Sequence, residues 1–297
     1  GDYDPPPGDW PLLHSRLPPL DGKPKIELFL ADTVSGRLQD RGFDILMTRD
    51  LMFGGCRIEE TPDASIEDIS DQAYDALFRI VGDHGYPHIL RLWNVVEDIN
   101  ADLDGLERYR HFCIGRQNAF DRLRPDLIDR YPAASALGST EGGLNLYVVA
   151  AREPGLPIEN PQQVSAFRYP PQYGPRSPSF SRALLKTWGE NARLFISGTA
   201  SITGHETRHI GDLDAQVEQT IDNLEILARE ASDRFGKPVP LRSPGSYLKA
   251  YVRRPEDFEA VKGIVERRLG NEVNTIYLRA DICREALLVE IEGLLSA

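Results

Sequence analysis

Two glutamates stand two residues apart in the apolar run Leu287-Leu288-Val289-Glu290-Ile291-Glu292 near the end of the chain. Read as a strand, Leu287 to Leu294 alternates faces, so Leu288, Glu290 and Glu292 share one face and Val289 and Ile291 the other. A carboxyl among such neighbours is partly desolvated, so its pKa rises and it keeps a proton near neutrality. A general acid needs that property. The plainer reading puts both glutamates on the wet face of a half-buried strand. Just upstream, Thr275–Cys283 also reads as a strand, with Tyr277, Arg279, Asp281 and Cys283 on one face. Cys283 is then either a small core residue or a thiol whose ionisation Arg279 and Arg284 favour.

A second stretch of chemical interest is Arg193–Asp212. Leu194-Phe195-Ile196 is strand-like. Ser197-Gly198-Thr199-Ala200-Ser201 is a corner of small residues that lets backbone or a ligand approach closely. Gly204-His205-Glu206-Thr207-Arg208-His209 is a polar turn, and a helical pattern follows from Leu213. This order builds either a pocket wall or a solvated strand-to-helix connection. His205 and His209 have the spacing of helix metal ligands, but no third ligand accompanies them, so a satisfied polar turn is expected and no metal. Arginines recur beside aromatic or small residues at Arg108-Tyr109-Arg110, Gly115-Arg116, Arg168-Tyr169 and Tyr173-Gly174-Pro175-Arg176. Arginine grips a carboxylate through two parallel hydrogen bonds, and tyrosine gives an apolar wall with a donor at its edge. A dicarboxylic ligand needs at least two such arginines; most of the others read as surface loop residues.

The elements that must position these residues follow from periodicity. Ile26–Leu30, Phe43–Thr48, His88–Val96 and Leu144–Ala151 read as strands in the first half, with helices over Ser65–Val81 and Leu106–Leu123. Ser65 is an N-cap with Asp68 three residues on. In the second half a helix over Leu213–Arg234 leads to a strand at Tyr247–Val252, a helix at Phe258–Leu269 and the two tail strands. A helix ending in GDHGYP leads into LRLWNVVED, and a helix ending in RFGKP leads into LKAYVRRPED. We read two copies of one strand–strand–helix–strand–helix–strand unit: residues 25–153 and 181–297, joined by a loop over 154–180. Seven prolines in Pro154–Pro178 make that connection a structured loop. Residues 1–24 read as an extended arm, pinned by Trp10, Leu12, Leu13 and Leu17. Two similar α+β layers packed together place a cleft at their interface.

Composition bounds the function. The chain has 297 residues, a formal net charge of −12 and 41% hydrophobic residues, which is globular and argues against a nucleic-acid partner. No run approaches the roughly 20 apolar residues of a membrane span, and no signal segment opens the chain. Cys56, Cys113 and Cys283 are odd in number and far apart. A cytoplasmic protein with reduced thiols is expected. The chain carries no phosphate-binding loop, no dinucleotide fingerprint, no HExxH and no GxSxG.

The second half, from LFISGTASITGHETRHIGD through VEIE, resembles the Rid (reactive-intermediate deaminase) fold. Almost the whole chain resembles the chorismatases, through RLWNVVEDIN, GLERYRHFCIGR, FRYPPQYGPRSPSFSRA, ISGTASITGHETRHIGD and YLRADICREALLVEIE. The resemblance implies two tandem Rid-like (chorismate-mutase-like) domains, α+β, with mixed sheets, helices on one face and the active site between them. It implies removal of the enolpyruvyl group of chorismate as pyruvate without metal or organic cofactor. Carried over residue by residue, Glu290 takes the place of the family's glutamate that protonates the substrate methylene carbon. Arg116 matches an arginine holding a carboxylate, and Thr199 and Ala200 match the corner lining the ring. Tyr169, Tyr173 and Arg279 are assigned to the substrate site as well. One family type adds water and releases 3,4-dihydroxycyclohexa-1,5-diene carboxylate. Another resembles a 3-hydroxybenzoate synthase, with a participating cysteine and a corner glycine. Cys283 fits the second type and Ala200 the first; 3-hydroxybenzoate is the favoured product. The partner is then the small molecule chorismate, no oligomer is required, and a monomer is expected. The alternatives are the diene-forming hydrolase, a Rid-like imine hydrolase and a non-catalytic binding protein. Thr275, standing where Rid proteins commonly place an arginine, speaks against the imine hydrolase.

Overall fold

A computed structural model describes residues 13–30, 33–243 and 245–297. Trp10 and Leu12, two of the expected anchors of the arm, lie outside the described residues. Leu17 is buried between the two halves against Val95, Leu137 and Tyr251.

The first half runs β1 (Val34–Asp40), β2 (Phe43–Thr48), β3 (Leu51–Ile58), α1 (Ile66–Asp83), β4 (His88–Glu97), α2 (Arg108–Leu123), β5 (Ala133–Ser139) and β6 (Leu144–Ala151). The second runs β7 (Leu156–Ile158), β8 (Ala183–Trp188), β9 (Asn191–Thr199), α3 (Leu213–Phe235), β10 (Tyr247–Val252), α4 (Phe258–Leu269), β11 (Asn274–Arg279), β12 (Asp281–Ile282) and β13 (Val289–Ser296). The sheet orders are β1-β2-β3-β6-β4-β5-β12 and β11-β10-β13-β9-β8-β7. Both are mixed: β4/β5 and β10/β11 run parallel, and the other pairs are antiparallel.

Each sheet buries one face under its own two helices. Ile66, Ile69, Ala73, Leu77 and Ile80 of α1 pack with Phe112 and Phe120 of α2 over Leu92, Leu146 and Val148. Ser65 caps α1 in the expected capping box with Asp68. Val217, Ile221, Leu224 and Leu227 of α3 pack with Val261 and Val265 of α4 over Ala250, Val289 and Ile291. Gly236 ends α3 in the left-handed conformation at φ 76°, where a β-carbon would be strained. Truncating a fully buried leucine such as Leu77 costs about 2–5 kcal/mol.

The other two faces meet. Leu90, Ala133 and Val149 of the first sheet pack on Leu184 and Phe195 of the second. The strand period therefore puts Val289 and Ile291 against the helices and turns Glu290 and Glu292 inward, between two sheets. Neither glutamate lies on a wet face: they are 3% and 1% exposed.

The structure corrects several sequence expectations. Ile26–Leu30 is extended but joins no sheet; side chains hold it, with Glu27 on Lys249 and Phe29 stacked on Phe53. Thr275–Cys283 is not one strand. It breaks at Ala280: Asn274–Arg279 pairs with β10, and Asp281–Ile282 crosses to pair with β5 of the other sheet. The single-face grouping of Tyr277, Arg279, Asp281 and Cys283 fails with it. Five of these strands, β1, β3, β5, β7 and β8, are not among the expected ones. β1, β3 and β5 are rich in glycine, alanine or polar residues, and β8 follows the proline-rich loop too closely to stand out. That loop contains a short strand, β7.

Candidate active site between the two sheets

Glu290 is placed by the start of β13, opposite Tyr251 of β10. On its other side β9 carries a bulge: Ile196 pairs with Gly293 and Thr199 with Ile291, leaving one extra residue in β9. A bulge bends the strand and re-aims its side chains. Here it lays the Gly198 backbone against the Glu290 carboxyl, and a β-carbon at position 198 would overlap Oε1 of Glu290. The small-residue corner thus has a steric cause. Ser197 fastens the bulge to the first sheet, its Oγ accepting from Ala134 N and donating to Ser181 O. Thr199 Oγ1 donates to Ser197 O.

Helix α3 fixes the rest of the corner through two buried amides seven residues apart on one face. Asn223 Nδ2 donates to the carbonyls of Ala200 and Ile202. Gln216 Nε2 donates to Ala286 O, and Gln216 Oε1 accepts from Leu288 N. Residues 281–288, which carry Cys283, are held from the other side by Arg253. Its guanidinium donates to the carbonyls of Ile282, Arg284 and Leu287, to Asp281 Oδ1 and to Asn100 Oδ1. Both walls beside Glu290 are therefore cross-braced.

Electrostatics sort the two glutamates. Burial first, and then the neighbouring Glu292 anion, push Glu290 up to about 8, with Arg91 and Arg253 opposing. Its Oε1 has no hydrogen-bond partner among the described residues. Burial also works against ionised Glu292, but Lys249 and Arg91 outweigh it and hold that group at about 2. At neutral pH Glu290 carries a proton and Glu292 does not. Cys283 is pushed up to about 12, by burial first and then by Glu290. It is a neutral thiol, not the thiolate that Arg279 and Arg284 would favour. Arg284 donates to His205 O and Thr207 Oγ1 and lies over the Tyr173 ring at 4.1 Å.

The structure brings most of the singled-out residues together. Ala200 and Cys283 pack in one apolar cluster with Ile282 and Leu287. Tyr169 and Tyr173 meet with ring centroids 5.3 Å apart and planes tilted by 44°, beneath Arg284, and Tyr173 Oη sits 3.1 Å from His205 Nδ1. Arg116 is fully buried on α2 beside Cys113 and Phe112, and Tyr109 stands near enough to Cys113 and Cys283 to feel both. Arg279 instead pairs with Asp281 at 3.3 Å; the guanidinium whose field reaches Glu290 from that side is Arg253.

Arg182 was not singled out from the sequence. It is 5% exposed, its Nη2 donates to Tyr169 Oη at 2.6 Å and to Val164 O, and its carbonyl accepts from Ser197 N. Nε of Arg182 and Nε of Arg116 are buried without a partner among the described residues. Unpaired buried donors of this kind suit an anionic ligand. The proton-bearing Glu290 carboxyl, the neutral Cys283 thiol and a corner without bulk adjoin one another, an arrangement able to protonate an uncharged atom of a ligand held there.

Comparison with known proteins identifies the family. The family described as chorismatase FkbO/Hyg5-like, N-terminal, matches residues 27–150. A 3-hydroxybenzoate synthase of Streptomyces hygroscopicus is 36% identical over 96% of this chain and 87% of its own. A chorismatase of Streptomyces rapamycinicus is 40% identical over 84% of this chain and 75% of its own. A chorismatase crystal structure superposes with a TM-score of 0.82 at 38% identity, covering 88% of this chain and 80% of that one. With that identity across nearly its whole length, and the same architecture, this chain belongs to the chorismatase family.

Proposed function

We propose that the protein cleaves chorismate to pyruvate and 3-hydroxybenzoate, with Glu290 as the general acid. The observation that carries the reading is Glu290 itself: a buried carboxyl, proton-bearing at neutral pH, with Oε1 free toward the Gly198–Ala200 corner. Chorismate is an enol ether with two carboxylates. Glu290 delivers its proton to the terminal CH2, and the adjacent carbon becomes an oxocarbenium-like centre. Arg116 and Arg182 hold the carboxylates, so the methylene meets the acid in place. Tyr169 and Tyr173 wall the ring. The ring's own C4 hydroxyl attacks the cationic carbon and gives up its proton, forming a cyclic ketal. The ring C4–O bond and the bond from the C3 oxygen to the ketal carbon then break, and pyruvate departs with the C4 oxygen. The C3 oxygen takes up a proton, and C3 loses its hydrogen as a proton while the ring becomes aromatic. Atoms balance without added water. Cys283 lies beside the ring as a neutral thiol that assists this last stage.

A second product reading has its own observation. The Ala200 methyl packs in the same cluster as Cys283 and sets how the ring rests against the thiol. If that shift admits water, water attacks the oxocarbenium carbon instead and the dihydroxycyclohexadiene carboxylate results. Chromatography of the mixture formed from purified protein and chorismate, with 3-hydroxybenzoate and the diene as standards, tests the product. We expect 3-hydroxybenzoate with equimolar pyruvate. The diene alone would assign the hydrolase, and no pyruvate above background would remove the function.

A further inference from the structure

Glu292 lies two residues beyond Glu290 on the same inward face, and four donors converge on its carboxylate. Its Oε1 accepts from Trp93 Nε1 at 2.6 Å and from Lys249 Nζ at 2.9 Å. Its Oε2 accepts from Arg91 Nη2 and from Ser135 Oγ, each at 2.5 Å. Four donors from β4, β5 and β10 thus converge on a carboxylate 1% exposed, an arrangement only the ionised form satisfies.

The groups facing Glu290 can be read element by element. From β5, Ser135 Oγ would lie 3.1 Å from a β-carbon at Gly198, but its proton goes to Glu292. From β10 come Tyr251, Lys249 and, at the strand's end, Arg253. From β4 comes Arg91, from β9 the Gly198 backbone, and from the 281–288 segment Cys283. Each cation near Glu290 is already answered by another anion. Arg253 pairs with Asp281 at 3.0 Å. Arg91 pairs with Glu292, and Lys249 is shared between Glu292 and Glu27. Arg91 Nη1 has no partner among the described residues, but no net positive charge is left to stabilise an ionised Glu290.

We infer that Glu292 is a positioning residue for the acid: by holding Arg91, Lys249 and Ser135 to itself, it keeps the proton on Glu290. The inference rests on the proposed role of Glu290. Neutralising Glu292 turns Arg91, Lys249 and the Ser135 hydroxyl toward Glu290, which then ionises at lower pH.

The test is the pH profile of kcat for pyruvate release by wild type, Glu292→Gln and Glu292→Asp at saturating chorismate. Activity requires protonated Glu290, so it is lost as pH rises through the folded-state pKa. Wild type should lose activity near pH 8. Glu292→Gln should lose it at least one pH unit lower, falling about 3-fold or more at pH 7.5 while approaching wild type near pH 5.5. Glu292→Asp, which keeps the charge, should restore the wild-type limb. A merely structural role would lower kcat equally at all pH values in both variants, and that result overturns the inference. So does an unmoved limb in Glu292→Gln. Should the glutamine variant not fold, 13C NMR of carboxyl-labelled glutamate in the wild-type protein reads the same point. One buried carboxyl should titrate near pH 8, and another should stay ionised below pH 4. A protonated Glu292 at pH 6 overturns the inference. That titration is independent of substrate: absence of pyruvate at any pH removes the proposed function, while the NMR still reports how the pair shares its proton.

Discussion

Glu290 should be a burden to the fold, and its replacement by glutamine should reveal by how much. The folded-state pKa is about 8 against an ordinary 4.5. Between those values the native protein binds one proton more than the unfolded chain. Stability therefore falls as pH rises across that window. From pH 5 to pH 7 the loss is about 1.4 kcal/mol per unit, or about 3 kcal/mol in all. Glutamine titrates in neither state and carries no such slope. Urea titrations of wild type and Glu290→Gln at both pH values give four stabilities. Whatever glutamine does to packing is common to both pH values and cancels in the double difference. Glu292 is ionised in the native state of both proteins throughout this range, so it cancels as well. The variant should gain about 3 kcal/mol on wild type between pH 5 and pH 7. The same stability difference at both pH values would mean that Glu290 titrates normally, and the argument from burial would fail.

Other substitutions probe the walls around it. Gly198→Ala places a methyl on Glu290 Oε1 and must swing the carboxyl away; kcat should fall roughly 100-fold with KM less affected, since misplacing an acid by about 1 Å costs that much. A fully active variant would show that the bulge does not set the carboxyl's position. Cys283→Ala should lower the yield of aromatic product more than the rate of pyruvate release, and an unchanged product ratio would return Cys283 to a packing role. Arg182→Met, with folding verified by its melting temperature, should raise KM for chorismate about 10–100-fold, the worth of a charge-assisted hydrogen bond of 1.5–3 kcal/mol. An unchanged KM would take Arg182 out of the substrate site.

Much of this site could be read from the letters, because its signals are local. Glu290 and Glu292 stood out as charges inside an apolar strand, and the strand's period placed them on one face. Arg91 in Ile-Leu-Arg-Leu-Trp and Lys249 in Tyr-Leu-Lys-Ala-Tyr carry the same signal. A buried charge needs a partner, and those two are the partners of Glu292. Arg182 gave less warning. It enters a strand straight from the proline-rich loop, and only the tertiary fold sets it beside Tyr169. Helices α1 and α3 were legible because side-chain caps and the 3.6-residue period coincide, and α2 and α4, which have no side-chain cap, by the period alone. The strand break at Ala280 was not, since nothing in Leu278–Ile282 marks the point at which the chain leaves one sheet for the other. That crossing bends the segment carrying Cys283 toward Glu290.

The central claim is that the proton on Glu290 cleaves the enol ether of chorismate. Single-turnover release of pyruvate from chorismate, with protein in excess, compares wild type and Glu290→Gln most directly. It separates the chemical step from product release. Glutamine keeps the shape of the side chain but has no carboxyl proton to give, so the single-turnover rate should fall roughly 10²–10⁴-fold, while chorismate still binds with near wild-type affinity. A Glu290→Gln rate within a few-fold of wild type would contradict the account, because the proton would then come from another group.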